Sequence, residues 1–521
     1  MRKPFHFLFF AVFATLSLFA DNFDELRIDQ LYMPLALSGL LGFILFVFIS
    51  FFVTSKRLAA IFSSIFSLIF FSYGHFIFLI KDIKFLGQVA NRSFLLTSVL
   101  ITVVAIFILK KIAKIDSSFK NTTIILNVIS IFIIILPVSI ISIKQIIRLS
   151  YPKSSTSQII YSKNPQAKPL FPDIYYIIVD RYARRSTLEE IYNFDNSEFI
   201  QFLKDNGFYV ARSRANYPFT TTSLASSLNM RYLDDLQEKM GKDSTDATPL
   251  YELIEDNEVI RYLKSKGYKY LHFGGEFGTT ARNKNADFNY VYWGDPLNLS
   301  EFERKLLNQT IYTPLMSLVN RLTNNKLTQA ESERQRSYHF ALSQLNQVAK
   351  TTEIEGPKFV FVHIFISHDP FVFNRDGSYL SETEGNLKDY KQVYLDQLIF
   401  ANEMIKQLIN TLQTKSKTKP VIILQSDEGP YPENFKNNVD NFDWRKATKK
   451  ELQEKFRITN NYFFPGVDAD KLYLDITPIN TFRLIFNLYF GEDLPLLQDK
   501  NYAQIDINHH FDVFEVTDLI R

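Results

Sequence analysis

Asp173-Ile-Tyr-Tyr-Ile-Ile-Val-Asp180 decides the fold. Nothing polar interrupts the β-branched and aromatic residues between its two carboxylates. The run is too short for an amphipathic helix and suits a strand buried on both faces, as in a parallel sheet. Asp180 closes the strand at its carboxyl end, the edge at which open α/β sheets bind their ligands. Further along, strand-like runs recur at residues 268–273, 358–364 and 421–425, separated by helical patterns at 188–206, 251–267, 299–322, 329–349 and 387–411. The alternation predicts an α/β domain, a mostly parallel sheet with helices on both faces. Three strand ends carry groups that a metal or phosphate site wants: Asp180, then His363 with His368, then Asp427 with Glu428.

Upstream the composition changes. Residues 149–169 are rich in Ser, Lys, Gln and Pro and read as a linker, so the exported domain is expected over 170–521. Residues 1–148 contain five apolar runs, at 5–19, 31–53, 58–80, 94–109 and 122–143, most of them near the ~20 residues that cross a bilayer core. We read them as an all-α anchor of five transmembrane helices. The first run also resembles a signal peptide, but Leu18 is poorly suited to a cut after Ala20, and we read it as an uncleaved helix. Arg2, Lys3, Lys56, Arg57, Lys110, Lys111, Lys114 and Lys120 fall on one side of the membrane, while Asp21, Asp24 and Glu25 fall on the other. The positive-inside rule makes the first set cytoplasmic, against the mild dissent of Lys81, Lys84 and Arg92. The expected protein is thus multi-pass in a bacterial inner membrane, with its C-terminal domain on the periplasmic or extracellular side. The spans are nearly free of ionisable residues, His75 being the main exception, which argues against a transporter.

Composition removes several functions. A net charge of +3 with no Lys/Arg block excludes nucleic acid as an expected partner. The absence of cysteine removes disulfides, thiolate metal sites and cysteine nucleophiles.

Four segments carry a family resemblance: Pro172-Asp-Ile-Tyr-Tyr-Ile-Ile-Val-Asp180, Asn216-Tyr-Pro-Phe-Thr-Thr-Thr-Ser-Leu-Ala-Ser-Ser-Leu-Asn229, Phe361-Val-His-Ile-Phe-Ile-Ser-His-Asp-Pro370 and Val421-Ile-Ile-Leu-Gln-Ser-Asp-Glu-Gly-Pro430. In order and spacing they resemble sulfatase-like membrane proteins of the alkaline phosphatase superfamily, the group that contains lipoteichoic acid synthases and phosphoethanolamine transferases. Asp475-Ile-Thr-Pro-Ile-Asn-Thr-Phe-Arg483 is similar to the stretch that follows that group's core. The resemblance implies an alkaline phosphatase-like fold and a divalent metal ion held by Asp180, Thr220, Asp427 and, where the family has His, Glu428. It also implies Thr220 as nucleophile, ahead of its neighbours Thr221, Thr222 and Ser223. A Thr hydroxyl is a weak nucleophile until a cation or base activates it, and a helix opening beneath it presents N–H groups to a phosphate. His363 and His368 are candidates for a second metal, for substrate contact or for leaving-group protonation.

This chain departs from the family pattern twice. Glu428 supplies a carboxylate in the His position, which favours Mn²⁺, Mg²⁺ or Ca²⁺ over a His-rich zinc site. Arg181 replaces a small residue, either to bind a substrate phosphate or to neutralise the carboxylates. Of the remaining polar residues, His272 reads as packed and the 445–455 stretch as a solvated helix face. The expected activity is phosphoryl transfer or phosphodiester cleavage on a lipid- or glycan-linked head group, with membrane lipid as partner. The alternative is an inactive scaffolding module in envelope assembly.

Overall fold

The computed structural model describes residues 3–53, 55–80, 119–150, 159, 161, 170–275, 278–292, 299–313, 315–316, 319 and 329–521. The chain divides into two units, residues 1–151 with 299–329, and residues 152–298 with 330–521.

In the first unit the apolar runs fold as helices α1 (His6–Asp21), α2 (Asp29–Phe52), α3 (Lys56–Ile80) and α4 (Lys120–Ser150). The expected span at 94–109 and the side chain of His75 lie outside the described residues. Among the described residues two helices, α2 and α4, are long and apolar enough to cross a membrane. In their most apolar windows only 11% and 22% of residues are buried, so these helices face outward with Phe51, Phe52, Phe132 and Leu136. Small and polar side chains join the helices. A Cβ on Gly42 of α2 would stand 2.5 Å from that of Ala11, so only glycine permits this approach of α1. Asn127 accepts from the backbone N–H groups of Phe5 and His6, satisfying donors that a helix start leaves open. The segment 299–329 reads in sequence like one more helix of the second half, yet it belongs to this unit. Phe302 and Leu306, on the Glu301–Asn308 helix, pack with Phe19, Phe23 and Ile141.

The second unit is built on a seven-stranded sheet of order β2-β7-β6-β1-β5-β3-β4. Its strands are β1 (Ile174–Val179), β2 (Tyr209–Val210), β3 (Lys269–Phe273), β4 (Phe288–Asn289), β5 (Lys358–Ile364), β6 (Val421–Gln425) and β7 (Asn460–Phe463). β1 is central and fully buried, parallel to both β5 (Ile174 beside Phe359) and β6 (Ile174 beside Val421). The helices that position the site are α5 (Thr220–Ser227), α6 (Gln329–Lys350), α7 (Tyr390–Lys415), α8 (Lys449–Phe456) and α9 (Pro478–Phe490). Alternation along β1 sends Tyr175, Ile177 and Val179 to one face, where they meet Leu345 and Val348 of α6 and Leu398 and Ala401 of α7. Tyr176 points the other way, its ring 5.1 Å from that of Phe482 on α9. Each such side chain, fully withdrawn from water, contributes about 1.5–3 kcal/mol before entropy is counted.

The predicted strands are present, and the structure adds antiparallel β7, which pairs with β6 and β2. Asn460 and Asn461 hide β7 from a hydrophobicity reading. Both are buried, with side-chain amides donating to Ser213, Tyr462 and Thr459. Two predicted helices are broken for local reasons. Asn193, at φ 52°, separates Arg185–Glu190 from Ser197–Asp205, and Asn257 caps Glu258–Ser265 through the N–H of Ile260.

Candidate metal and catalytic site

Asp180, His363 and Asp427 converge at the carboxyl edge of β1, β5 and β6. Each offers a ligand atom lying within 4.8 Å of the others'. Register explains the convergence: Ile178 is level with His363 and Gln425, so Asp180 and Asp427 each lie two residues further on. The His363 Nε2 stands 3.7 Å from Asp180 and 3.8 Å from Asp427.

The three side chains are buried, yet Asp180 Oδ1, His363 Nε2 and both Asp427 oxygens lack a protein hydrogen bond. Buried polar atoms rarely stay unpaired without a functional reason, and a divalent cation fits this arrangement. Thr280 Oγ1 lies 2.8 Å from His363 Nδ1 and orients the ring, the outer-shell support that metal-binding histidines require. Behind it, His272 is packed as expected, between the Tyr270 hydroxyl and the Thr280 carbonyl.

Burial and then the Asp427 charge push the Asp180 carboxyl well above the usual carboxylate range. Burial likewise raises Asp427, against which the nearby Thr220 side chain favours the charged form. Burial also lowers His363 to about 4, so its imidazole is neutral and able to ligate. A cation must therefore displace a proton held by the carboxylates, and its affinity falls as pH falls. Titration with Mn²⁺ at neutral pH is expected to release protons, seen by calorimetry in buffers of different ionisation heat, and Asp180→Asn to abolish most of that release.

Among the four hydroxyls at the start of α5, two are committed to structure. Thr222 donates to the Phe219 carbonyl and Gln504, and Ser223 donates to the Asp427 carbonyl. Thr220 and Thr221 are half-buried, and Thr220 is the one that influences the Asp427 carboxylate. His368 places Nε2 4.0 Å from Asp180. Its Nδ1 contacts the Asp369 carbonyl, which only accepts, so the neutral ring turns its Nε2 lone pair toward the carboxylates.

The structure sets Glu428 apart from the metal-binding group. One carboxylate oxygen accepts from Arg181 Nε at 2.9 Å, and the other meets Lys455 Nζ at 3.1 Å and the Thr220 N–H at 3.2 Å. The donor set around the orphaned atoms is thus two carboxylates and an imidazole, which admits Zn²⁺ as readily as Mn²⁺ or Mg²⁺. Arg181 also pairs with Asp369 at 2.6 Å and stacks 3.6 Å above the Tyr431 ring. Its backbone sits at φ 58°, a conformation natural to glycine and costly to arginine, so those contacts must offset the strain.

Lys455, expected on a solvated face, is fully buried and lies 4.0 Å from the centre of the Tyr431 ring. Burial, opposed by Glu428, lowers it to about 8. The residue that admits it is Gly429, where a Cβ would stand 2.3 Å from the Glu454 carbonyl oxygen. The Gly after Glu428 was the available signal for this close approach, but α8 reads as polar all round.

The family profile described as Sulfatase matches residues 172–466. No curated protein matches the chain. Among solved structures, the C-terminal periplasmic domain of EcEptC from Escherichia coli in complex with Zn is 11% identical with a TM-score of 0.43, over 68% of this chain and 94% of that one. The lipoteichoic acid synthase LtaP from Listeria monocytogenes is 12% identical with a TM-score of 0.39, over 68% and 79%. The C-terminal periplasmic domain of phosphoethanolamine transferase EptC from Campylobacter jejuni is 10% identical with a TM-score of 0.38, over 63% and 92%. The profile runs from Pro172, ahead of β1, to Gly466, beyond β7, and so takes in the ends of β1, β5 and β6 and more than half of the 521 residues: the chain belongs to the sulfatase family.

Proposed function

We propose that the protein is a membrane-bound, metal-dependent phosphoryl-group transferase or phosphodiesterase acting on lipid or glycan head groups at the outer face of a bacterial inner membrane. The observation that carries this reading is the convergence of Asp180, His363 and Asp427, with coordinating atoms left unpaired, beside the Thr220 side chain. Asp180, His363 and Asp427 would hold a divalent ion, whose positive charge would favour the ionised hydroxyl and the developing phosphate charge. Thr220 Oγ1 bonds to phosphorus as the bond to the head-group oxygen breaks, the hydroxyl proton ending on the departing head group as an alcohol, and an acceptor hydroxyl or water later takes the phosphoryl group and returns a proton to Thr220. Arg181, fixed by Glu428 and Asp369, presents its guanidinium to phosphate oxygens. The outward apolar surfaces of α2 and α4 support the membrane part of the reading.

Sulfate ester hydrolysis of the formylglycine kind needs Cys or Ser in a Cys/Ser-x-Pro-x-Arg context, and the sequence has neither form. The scaffold alternative drew on Glu428 and Arg181 as marks of a decayed site. These two residues are partners in one buried ion pair, and the three unpaired ligands stand beside it intact.

The test is to incubate the detergent-solubilised protein with a chromogenic phosphodiester and Mn²⁺, quench in acid and map phosphopeptides by mass spectrometry. Phosphate is expected on Thr220 and absent from Thr220→Ala. Turnover without that label, or with the label on another residue, would overturn the assignment of the nucleophile.

A further inference from the structure

Beside the metal centre, on its β7 side, four arginines gather around little negative charge. Arg184 follows β1, Arg212 and Arg214 follow β2, and Arg457 precedes β7, so all four sit at the carboxyl edge of the sheet. Backbone contacts bring them together. Arg214 bridges Arg457, the Arg184 N–H donates to the Arg457 carbonyl, and the Arg184 side chain donates to the carbonyls of Arg212 and Ser213. Asp475 is shared by Arg212, in a two-pronged pair at 3.0 and 2.8 Å, and by Arg214 at 3.4 Å. Arg457 reaches the half-exposed Glu190, and Arg184 Nε is bonded to a hydroxyl, that of Ser186.

The contacts leave donors over. The Arg214 side chain is 7% exposed and that of Arg457 11%, yet the Nε of each is buried without an acceptor. Orphaned guanidinium donors in a ring of like charges are what a site for an absent oxyanion looks like. Burial, and then repulsion from Arg457, Arg214 and Arg212, holds Arg184 down at about 9. Lateral placement matters too. The metal ligands lie at the ends of β1, β5 and β6, whereas Arg212, Arg214 and Arg457 lie at β2 and β7, with Arg184 on the loop after β1 that joins them, so a ligand long enough to carry two phosphates spans both.

We propose that Arg184, Arg212, Arg214 and Arg457 form a second oxyanion site, which takes a phosphate group carried by the substrate or acceptor at a distance from the reacting one. Its link to turnover rests on the phosphoryl-transfer reading, whereas its capacity to bind phosphate does not. Two sources share this chemistry, the head group of an anionic membrane lipid and a phosphate on a soluble or glycan-linked chain.

The test uses the full-length protein in phosphatidylcholine nanodiscs with EDTA, titrated with inorganic pyrophosphate by calorimetry. Wild type and Asp427→Asn are expected to bind alike, with affinity that falls steeply with salt. Arg184→Gln and Arg214→Gln are each expected to bind at least tenfold more weakly. Arg212→Gln, at an exposed position that folding tolerates, is expected to lose about threefold and keeps the test valid if the buried variants fail to fold. Wild-type affinity that drops in discs containing phosphatidylglycerol identifies the lipid head group as the ligand, and unchanged affinity identifies the chain phosphate. No pyrophosphate binding at millimolar concentration, equal binding by the arginine variants, or loss confined to Asp427→Asn would overturn the proposal. The Asp427→Asn arm also separates it from the metal reading, since metal-centre failure leaves pyrophosphate binding in place.

Discussion

Asp427→Asn is expected to remove the bound metal and to lower turnover by about 10³-fold, the equivalent of roughly 4 kcal/mol of transition-state stabilisation. Both Asp427 oxygens are buried without a protein hydrogen bond, and the side chain stands 3.8 Å from His363 Nε2, so one change removes a ligand. An amide is isosteric with the carboxylate and folds in its place. It also relieves the repulsion that, after burial, holds Asp180 high, so the metal-free variant should melt no lower than metal-free wild type. Metal analysis by mass spectrometry, phosphodiester turnover and thermal melting in EDTA read these three quantities. Full metal retention in the variant would remove Asp427 from the ligand set. A large drop in melting temperature would reassign its role to structure.

Glu428→Gln is expected to do the reverse. It leaves Arg181 and Lys455, both packed on Tyr431, without the carboxylate both of them use. Breaking a buried pair by removing one partner costs about 3–5 kcal/mol, more than the pair itself contributes. For a unit of this size that corresponds to a fall of roughly 4–7 °C in melting temperature. Metal affinity, by contrast, should stay within about tenfold of wild type, because the ligand atoms belong to other residues. The companion variant Arg181→Gly removes one stranded cation and relieves the backbone strain at φ 58°. In that background Glu428→Gln should cost less, and a double-mutant cycle measures the coupling. Loss of metal with unchanged melting would return Glu428 to the coordination sphere.

The sheet was legible in sequence because burial on both faces leaves apolar runs, unbroken at Ile174–Val179 and over 359–362. β7 was not, since half of it is buried asparagine whose amides are bonded to Ser213, Tyr462 and Thr459, which masks its hydrophobic contrast. Strand ends announced Asp180, His363 and Asp427, because parallel register brings such ends to one edge. Position in the sequence could not say where Glu428 points. That direction depends on Lys455, which a glycine contact delivers from a helix with an otherwise polar surface. The arginine cluster was equally hidden: its members are spread from Arg184 to Arg457, and only loop pairing at the sheet edge assembles them.

The return of residues 299–329 to the helical unit also bears on shedding. The chain passes between the units three times, at 151–152, 298–299 and 329–330. A protease that cuts within 152–169 therefore cannot release the catalytic half into the surrounding fluid. Phe302 and Leu306 keep that fragment seated against Phe19 and Phe23, and liberation requires two further cuts, one on each side of the returning segment.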